Sequence, residues 1–216
     1  MSIIEKASKV IASKTSTTLD LDKDQQEVLE YGALSFLQSL ISIVLLTLFG
    51  MLFHSLLEIL VISLTAALLR QYSGGVHATS SNRCTILSLF FFGLLSLFAK
   101  YFSALYVQNH AIIFQVFTLL VVTVLLYKFA PTDSPNKRIT NPEKKLKLKR
   151  ASFKFVLFLF LITLCLWFIH FKFNNAVAIK IIIYIHIGML WQALSITSFM
   201  KLIVSKLDSL LIKLKI

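Results

Sequence analysis

The stretch that decides the fold is SFKFVLFLFLITLCLWFIHF, at residues 152–171. Of its twenty residues, only Lys154 is a lysine, arginine, aspartate or glutamate. An α-helix rises about 1.5 Å per residue, so this length matches the roughly 30 Å hydrocarbon core of a bilayer. A chain inside lipid must satisfy its own backbone hydrogen bonds, which a helix does. The stretch therefore predicts a transmembrane helix.

Five further apolar runs lie at residues 33–53, 56–69, 85–107, 111–130 and 176–199. The run 56–69 is shorter than the roughly 17 residues a span needs, and it contains Glu58. Two interpretations remain for it, a re-entrant segment or a short span that continues into the polar residues after it, and we expect the span. The prediction is an all-α polytopic membrane protein, with residues 1–216 forming one integral membrane domain of six transmembrane helices.

The composition supports a lipid environment. Hydrophobic residues make up 57% of the chain and charged residues 15%, with a mean hydropathy of +0.80. Soluble domains are nearer half apolar and about a quarter charged, so soluble multi-domain folds are disfavoured. The net charge of +12 is typical of cytoplasmic loops that face anionic lipid. No basic stripe is interleaved with aromatic residues in a polar domain, so nucleic acid is not an expected partner.

The distribution of positive charge predicts the orientation. With six spans and both termini in the cytoplasm, 19 of the 22 Lys and Arg residues lie on the cytoplasmic side. Only Lys100, Lys172 and Lys180 lie on the other side. This asymmetry is what the positive-inside rule describes. Without a span at 56–69 the distribution would be much less asymmetric, so the charges support six spans with the segment 70–84 facing the cytoplasm.

Both ends of the chain are predicted to be amphipathic. Within the cytoplasmic N-terminal segment 1–32, residues 1–16 carry apolar side chains at helical spacing, which indicates either a helix on the membrane surface or a soluble tail helix. Residues 200–216 form a basic amphipathic helix that favours membrane lipid as a partner. The apolar positions are Ile3, Ile4, Ala7, Val10 and Ile11 at the start, and Leu202, Ile203, Leu207, Leu210, Leu211 and Leu214 at the end.

The longest polar stretch between apolar runs, residues 131–151, is predicted to be a basic cytoplasmic loop. The loop contains Pro131, Pro135 and Pro142, and a cluster of Lys and Arg residues fills its second half. Such a cluster either fixes topology against lipid headgroups or provides a docking surface for an acidic peptide. The candidate residues for binding an acidic substrate tail are Lys137, Arg138, Lys144, Lys145, Lys147, Lys149 and Arg150.

The segment Arg70–Cys84, RQYSGGVHATSSNRC, is a polar island between two apolar runs. On one straight helix His77 and Cys84 would lie about 10.5 Å apart along the axis, too far for a hydrogen bond. The Gly74-Gly75 pair allows the chain to bend, and Ser80, Ser81 and Asn82 are favourable helix N-caps. If a helix starts at one of these caps, Cys84 falls in its first turn and His77 lies in the loop before it.

This arrangement would suit an activated cysteine. The thiolate is the nucleophile, and a helix N-terminus with Arg70 and Arg83 nearby favours it. His77 could act as the base, and the Gly74 and Gly75 amides could stabilise an oxyanion. The alternatives for Cys84 are a small apolar residue at the interface or a palmitoylation site.

No acidic residue in the segment could orient His77. Gln71, Ser73 and the intramembrane Glu58 are candidates. Cys165 is expected to pack within a span. The other histidines are scattered and no HExxH pattern occurs, so neither a metal nor another cofactor is expected.

The pattern Arg70…Gly74-Gly75-Val76-His77-Ala78…Cys84 resembles the signature of the accessory gene regulator B (AgrB) family. These are membrane cysteine endopeptidases of low-GC Gram-positive bacteria that process quorum-sensing precursors. A second stretch, FAPTDSPNKRI at residues 129–139, is similar to a family segment after the fourth span. Phe129 stands where the family has tyrosine, and Arg138 where it has proline. The resemblance covers essentially the whole chain.

The resemblance implies that His77 and Cys84 are the catalytic pair and that Arg70 and Gly75 are needed for activity. It implies a bacterial cell-membrane enzyme whose partner is an AgrD-like precursor with an amphipathic helix, a signal segment and an acidic tail. Cys84 would release the tail and leave a thioester, and an internal Cys or Ser of the precursor would then close a thiolactone or lactone ring. A homodimer is one compatible assembly.

Two other functions remain as alternatives. Glu58, His186 and Gln192 lie inside apolar runs, and intramembrane polar groups often line a transport pathway. They favour a non-enzymatic transporter or peptide exporter. The basic segments 131–151 and 200–216 would also suit a membrane scaffold or sensor component.

Overall fold

The computed structural model describes residues 3–76, 78–105, 108–133 and 140–214. Within those ranges the chain is helical, with one isolated β-bridge between Gly74 and Thr132 and no strand. This confirms the predicted all-α class. The helices are α1 (Ile3–Leu19), α2 (Lys23–Leu52), α3 (Leu56–Ser73), α4 (Ser81–Leu105), α5 (Gln108–Phe129), α6 (Pro142–Phe173), α7 (Ala176–Ser195) and α8 (Ser198–Lys213).

Six of these helices, α2 to α7, are long and apolar enough to cross a membrane, so the chain is a multi-pass membrane protein. The helix α3 resolves the ambiguity over run 56–69, because it continues for 18 residues to Ser73. The second run is therefore a candidate span that extends into polar residues, as expected. The structure differs from the predicted loop 131–151 in its second half, because α6 begins at Pro142 with Asn141 as its N-cap.

Helix α7 is the centre of the bundle, packing against α3, α4, α5, α6 and α8. Tyr184, Ile183 and Met189 on this helix are fully buried. Gly188 lets α7 approach α3 closely, because a Cβ at this position would lie 2.7 Å from the carbonyl oxygen of Ile62. The crossing of α3 and α7 brings the C-terminal ends of both helices together, and this positions the candidate site.

Several polar side chains inside the bundle are bonded to each other across helices. Tyr184 Oη donates to Glu58 Oε1 at 2.9 Å and lies 3.1 Å from Ser103 Oγ. Gln115 links α5 to α6, accepting from Trp167 Nε1 at 2.6 Å. Hydrogen bonds inside a low-dielectric environment remove the cost of burying these groups. Glu58 is thus occupied in holding helices together.

The two ends of the bundle differ in charge. Lys100 lies near the end where α2 meets α3, donating to Phe53 O at 3.1 Å, and Lys172 and Lys180 flank the turn from α6 to α7 at that same end. The opposite end holds the Gly74–Thr132 bridge, the start of α4 and α8. The three lysines predicted to lie on the same side of the membrane are therefore at the same end of the bundle. Which end faces the cytoplasm stays a prediction.

The terminal helices have different relations to the bundle. Helix α1 packs on α2 through a stripe of small residues, Ser8, Ala12 and Ser16, while the predicted apolar residues Val10 and Ile11 remain exposed. Helix α2 already begins at Lys23, so residues 23–32 of the predicted N-terminal segment are continuous with the helix of the first apolar run. Helix α8 begins at Ser198 and contacts α4 and α7.

Candidate active site

Cys84 lies in the first turn of α4, as the sequence predicts. Ser80 caps this helix: its hydroxyl oxygen accepts from Arg83 N at 3.3 Å, and its carbonyl accepts from Cys84 N at 3.0 Å. The Cys84 side chain is half-buried. A helix N-terminus carries partial positive charge, so the backbone amides of this turn are directed toward the side of the helix end where Cys84 lies.

Arg70 is the second member of the site. It lies in the last turn of α3, and its Nη2 donates to the carbonyl of Val76. A Cβ on Gly75 would lie 3.3 Å from the Arg70 Cζ, so the guanidinium packs directly over that glycine. Cys84 lies within electrostatic range of the Arg70 guanidinium. The structure therefore brings together Arg70, Gly75 and Cys84, three residues that the sequence singled out.

Gly74 ends α3 and turns the chain toward α4. Its backbone has φ +72° and ψ −160°, a region that essentially only glycine adopts. Its amide donates to Arg70 O at 2.9 Å, closing the last turn of the helix. This bond engages the Gly74 N–H in the helix end, which suits a positioning role for Gly74. An oxyanion role for the Gly74 or Gly75 amide stays a prediction.

The second family-like stretch, which begins at Phe129, packs against this turn. Thr132 N donates to Ser73 O at 2.9 Å, and a Cβ on Gly74 would lie only 2.2 Å from Thr132 O. The Thr132 hydroxyl lies within hydrogen-bonding distance of the carbonyls of Phe129 and Ile196, at 3.0 and 3.3 Å. The peptide bond before Pro131 is cis. Two motifs 58 positions apart in the chain thus form one structural unit.

Gln192 contacts the site, although its place inside an apolar run suggests a transport pathway instead. Its Nε2 donates to Gly74 O at 2.7 Å and to Ser73 Oγ at 2.9 Å, and the residue is 1% exposed. It therefore holds the Gly-Gly turn against α7. In the sequence, Gln192 stands out only as a lone amide within an apolar run. Only the fold shows that its side chain contacts the Gly-Gly turn.

His77 lies outside the described residues, so the group that orients it stays open. Of the three candidates, Glu58 is the poorest, because it lies in the first turn of α3, about 18 Å along the helix from Arg70. Gln71 is exposed, and the Ser73 hydroxyl donates to Leu69 O at 3.1 Å. Among the described residues no group of three or more His, Cys, Asp or Glu side chains is arranged to hold a metal ion.

The basic residues predicted to bind a substrate tail lie mostly on the first turns of α6. Lys149 binds the neighbouring helix α5. Its Nζ donates to Tyr127 O at 2.6 Å and lies over the Tyr127 ring. Lys144 and Lys147 line a cleft of about 560 Å³ that reaches Tyr72 on α3, close to the Gly-Gly turn. Lys147 also lines a neighbouring cleft, together with Arg150 and Lys154. Lys137 and Arg138 lie outside the described residues.

These features define a class: a multi-pass helical membrane protein with a cysteine at a helix N-terminus and a neighbouring arginine, gathered at one end of the bundle. The chain belongs to the accessory gene regulator B family, whose sequence model matches residues 5–197. This confirms the resemblance seen in the sequence.

Relatives support the assignment over the full length. An AgrB-like protein 2 of Clostridium perfringens strain 13 is 34% identical, covering 98% of this chain and all of that protein. An AgrB-like protein of Clostridium perfringens strain SM101 is 32% identical, with coverage of 98% and 100%. No solved structure matches the chain. Family membership supports a role in accessory gene regulator peptide processing, a step that the family performs on the AgrD precursor peptide.

Proposed function

We propose that this protein is a membrane cysteine endopeptidase that removes the C-terminal tail of an AgrD-like precursor and promotes its cyclisation. The observation that carries the proposal is the position of Cys84 in the first turn of α4, with Arg70 within electrostatic range. A helix N-terminus and a guanidinium both stabilise a thiolate, which is what a nucleophilic cysteine requires. Family membership supplies the substrate class.

In the proposed first step, His77 takes the proton of the Cys84 thiol. The sulfur attacks the carbonyl carbon of the peptide bond at the end of the signal segment. The tetrahedral intermediate collapses, the C–N bond breaks, and the amine of the tail leaves with the proton from His77. A thioester between Cys84 and the signal segment remains. Arg70 stabilises the thiolate, and the Gly75 amide is the proposed donor to the oxyanion.

In the proposed second step, an internal thiol or hydroxyl of the precursor attacks the thioester. The new C–S or C–O bond closes a thiolactone or lactone ring, and the Cys84 sulfur leaves and recovers a proton. Neither step uses a nucleotide, because the acyl group passes from the nitrogen of the tail to the Cys84 sulfur and then to the internal nucleophile. Ring closure is intramolecular and so outcompetes hydrolysis when the internal nucleophile is held close.

The thioester provides a direct test of this function. A precursor whose internal Cys or Ser is replaced by alanine cannot close the ring, so we expect the acyl-enzyme to accumulate on Cys84. Mass spectrometry after an acid quench should find the signal fragment on the peptide that contains Cys84, and hydroxylamine should release it. The Cys165→Ala variant is the matched control and should form the same adduct. An adduct on Cys165, or tail release with no adduct on any residue, would contradict the proposal.

The same reaction scheme explains the basic surface of α6. We propose that the acidic tail of the precursor binds in the clefts lined by Lys144, Lys147 and Arg150, because the second cleft reaches Tyr72 near the Gly-Gly turn. A tail held there lies next to the site where its peptide bond is cut. This surface and the lipid-facing terminal helices would lie on the cytoplasmic side. A homodimer stays a prediction.

We expect the double variant Lys147→Glu/Arg150→Glu to raise KM for the precursor about tenfold at low salt, with kcat little changed. The physical reason is that attraction to the acidic tail becomes repulsion at two exposed positions. The effect should shrink at 1 M salt, where the Debye length is about 3 Å.

The control Lys6→Glu/Lys14→Glu makes the same change in net charge on α1, where both lysines are exposed. Equal KM increases in the two variants would show that only overall charge matters and that the tail does not bind at α6.

A further inference from the structure

Helix α8 contributes a buried carboxylate to the end of the bundle that holds the candidate active site. Asp208 is 5% exposed, although most of α8 is amphipathic surface. Phe199 and Leu210 on the same helix are 69% and 53% exposed. On a helix of 3.6 residues per turn Asp208 lies on the side opposite to them. The carboxylate therefore points into the protein, while the apolar side of α8 is available to lipid.

Asp208 binds the chain on both sides of the α4 N-cap. Its Oδ2 accepts from the backbone N and the Oγ1 of Thr79, at 3.2 and 2.7 Å. Its Oδ1 accepts from Arg83 Nε at 2.7 Å. Arg83 Nη2 in turn donates to Thr79 Oγ1 at 2.7 Å. Both carboxylate oxygens are thus bonded, and the side chains of Asp208, Thr79 and Arg83 form a closed ring of hydrogen bonds.

The charge state of Asp208 suits it to accept these hydrogen bonds. Burial acts to raise its pKa, but hydrogen bonds from Thr79 and Arg83 outweigh burial and hold the pKa below its ordinary value. The carboxylate is therefore ionised at neutral pH and forms charge-assisted hydrogen bonds, which are shorter and stronger than neutral ones. The Arg83–Asp208 ion pair is also shielded, with side chains 17% and 7% exposed.

We propose that Asp208 is a positioning residue for the catalytic segment, fixing the loop that precedes α4 and the first turn that carries Cys84. The inference rests on the proposed function. It adds a residue outside the region 5–197 that matches the family model, and it gives α8 a role beyond membrane attachment. Thr79 is two residues after His77 and Arg83 is one residue before Cys84, so the ring constrains the backbone next to both proposed catalytic groups.

The arrangement has a mechanistic consequence. A nucleophile and its base must meet in a narrow range of distances, and a displacement of about 1 Å can lower a rate a hundredfold. Loss of the Asp208 ring should therefore lower kcat, because it loosens the groups that react. It should leave KM nearly unchanged, because α8 is not part of the proposed cleft for the substrate tail.

The test compares Asp208→Asn with Lys206→Asn in the full-length protein in lipid nanodiscs. The asparagine at 208 keeps the shape of the side chain but removes its charge and one acceptor, whereas Lys206 is exposed on the same helix. We expect Asp208→Asn to lower kcat for tail release about tenfold to a hundredfold with KM within twofold of wild type. Lys206→Asn should match wild type.

A second readout does not depend on turnover. In a Cys165→Ala background, the rate of Cys84 alkylation by iodoacetamide should change severalfold in Asp208→Asn and not in Lys206→Asn. Wild-type kcat and alkylation rate in Asp208→Asn would overturn the proposal. If tail release persists in Cys84→Ala, the proposed function itself is wrong, so the two failures are distinguishable.

A double-mutant cycle covers the case in which Asp208→Asn lowers kcat only by disturbing the fold. Thr79→Val removes the partner hydroxyl from the other side of the ring. If the ring acts as a unit, the double variant Thr79→Val/Asp208→Asn should lose no more activity than the worse single variant. Multiplicative losses would show that the two residues act independently, which would overturn the proposal.

Discussion

Replacing Cys84 with alanine is expected to lower kcat/KM for tail release by at least about a thousandfold, because removal of a covalent nucleophile leaves only binding and electrostatic effects. The change removes a half-buried side chain whose backbone amide, bonded to Ser80, stays in place. The helix cap and the Asp208 ring do not involve the Cys84 sulfur. The variant should therefore keep its fold, as judged by thermal unfolding and by size-exclusion elution in detergent.

The control for this prediction is Cys165→Ala, which should cleave at the wild-type rate. Cys165 is exposed on the surface of α6, within a candidate span and away from the α4 N-terminus. Replacement of His77 by alanine should lower the rate by about a hundredfold or more, since it removes the proposed general base. Normal tail release by Cys84→Ala would exclude the cysteine mechanism, even if His77→Ala were inactive.

Gly74→Ala is expected to have the second largest effect, lowering activity about a hundredfold and lowering the temperature of unfolding. Two independent costs act at this position. A left-handed backbone of this kind costs a non-glycine residue about 1–3 kcal/mol. The added Cβ would also lie 2.2 Å from the carbonyl oxygen of Thr132, which is backbone and cannot rotate away. The Gly74–Thr132 bridge would have to open.

Opening that bridge would disturb the site through its neighbours. Gly74 O accepts from Gln192, and Gly74 N donates to Arg70 O, so a shift of this residue moves the arginine that interacts with Cys84. The measurements are tail release and thermal unfolding in the same detergent. Both should change together, because the strained turn is part of the fold and of the site.

Gly32→Ala is the matched control for the glycine prediction. Gly32 lies within α2, and a Cβ there would meet nothing within 4 Å. Alanine favours helix over glycine by about 1 kcal/mol, so this variant should be active and as stable as wild type or slightly more so. If Gly74→Ala behaved like Gly32→Ala, the close packing of the Gly-Gly turn against Thr132 would not be required for function.

Most of the fold could be predicted because the lipid environment restricts which backbone structures can form. Twenty-residue apolar stretches in lipid have to form helices, and positive charges at one set of ends indicate how the helices alternate. The position of Cys84 at the start of α4 could also be predicted, because it depends only on neighbouring residues: Ser80 forms the N-cap with the four residues that follow it. The limits of the helices were less predictable, because the first turns of α2 and α6 are polar and carry no apolar signal.

The sequence by itself thus determined the all-helical membrane fold, the six candidate spans and the cysteine at the start of α4. Only the tertiary structure decided what surrounds that cysteine. Thr132, Gln192 and Asp208 reach the segment Arg70–Cys84 from positions about 60 to 130 residues away in the chain. The physical reason is that hydropathy periodicity specifies which face of a helix is apolar, but the partner of each polar group depends on how the helices cross, as Gly188 lets α7 cross α3.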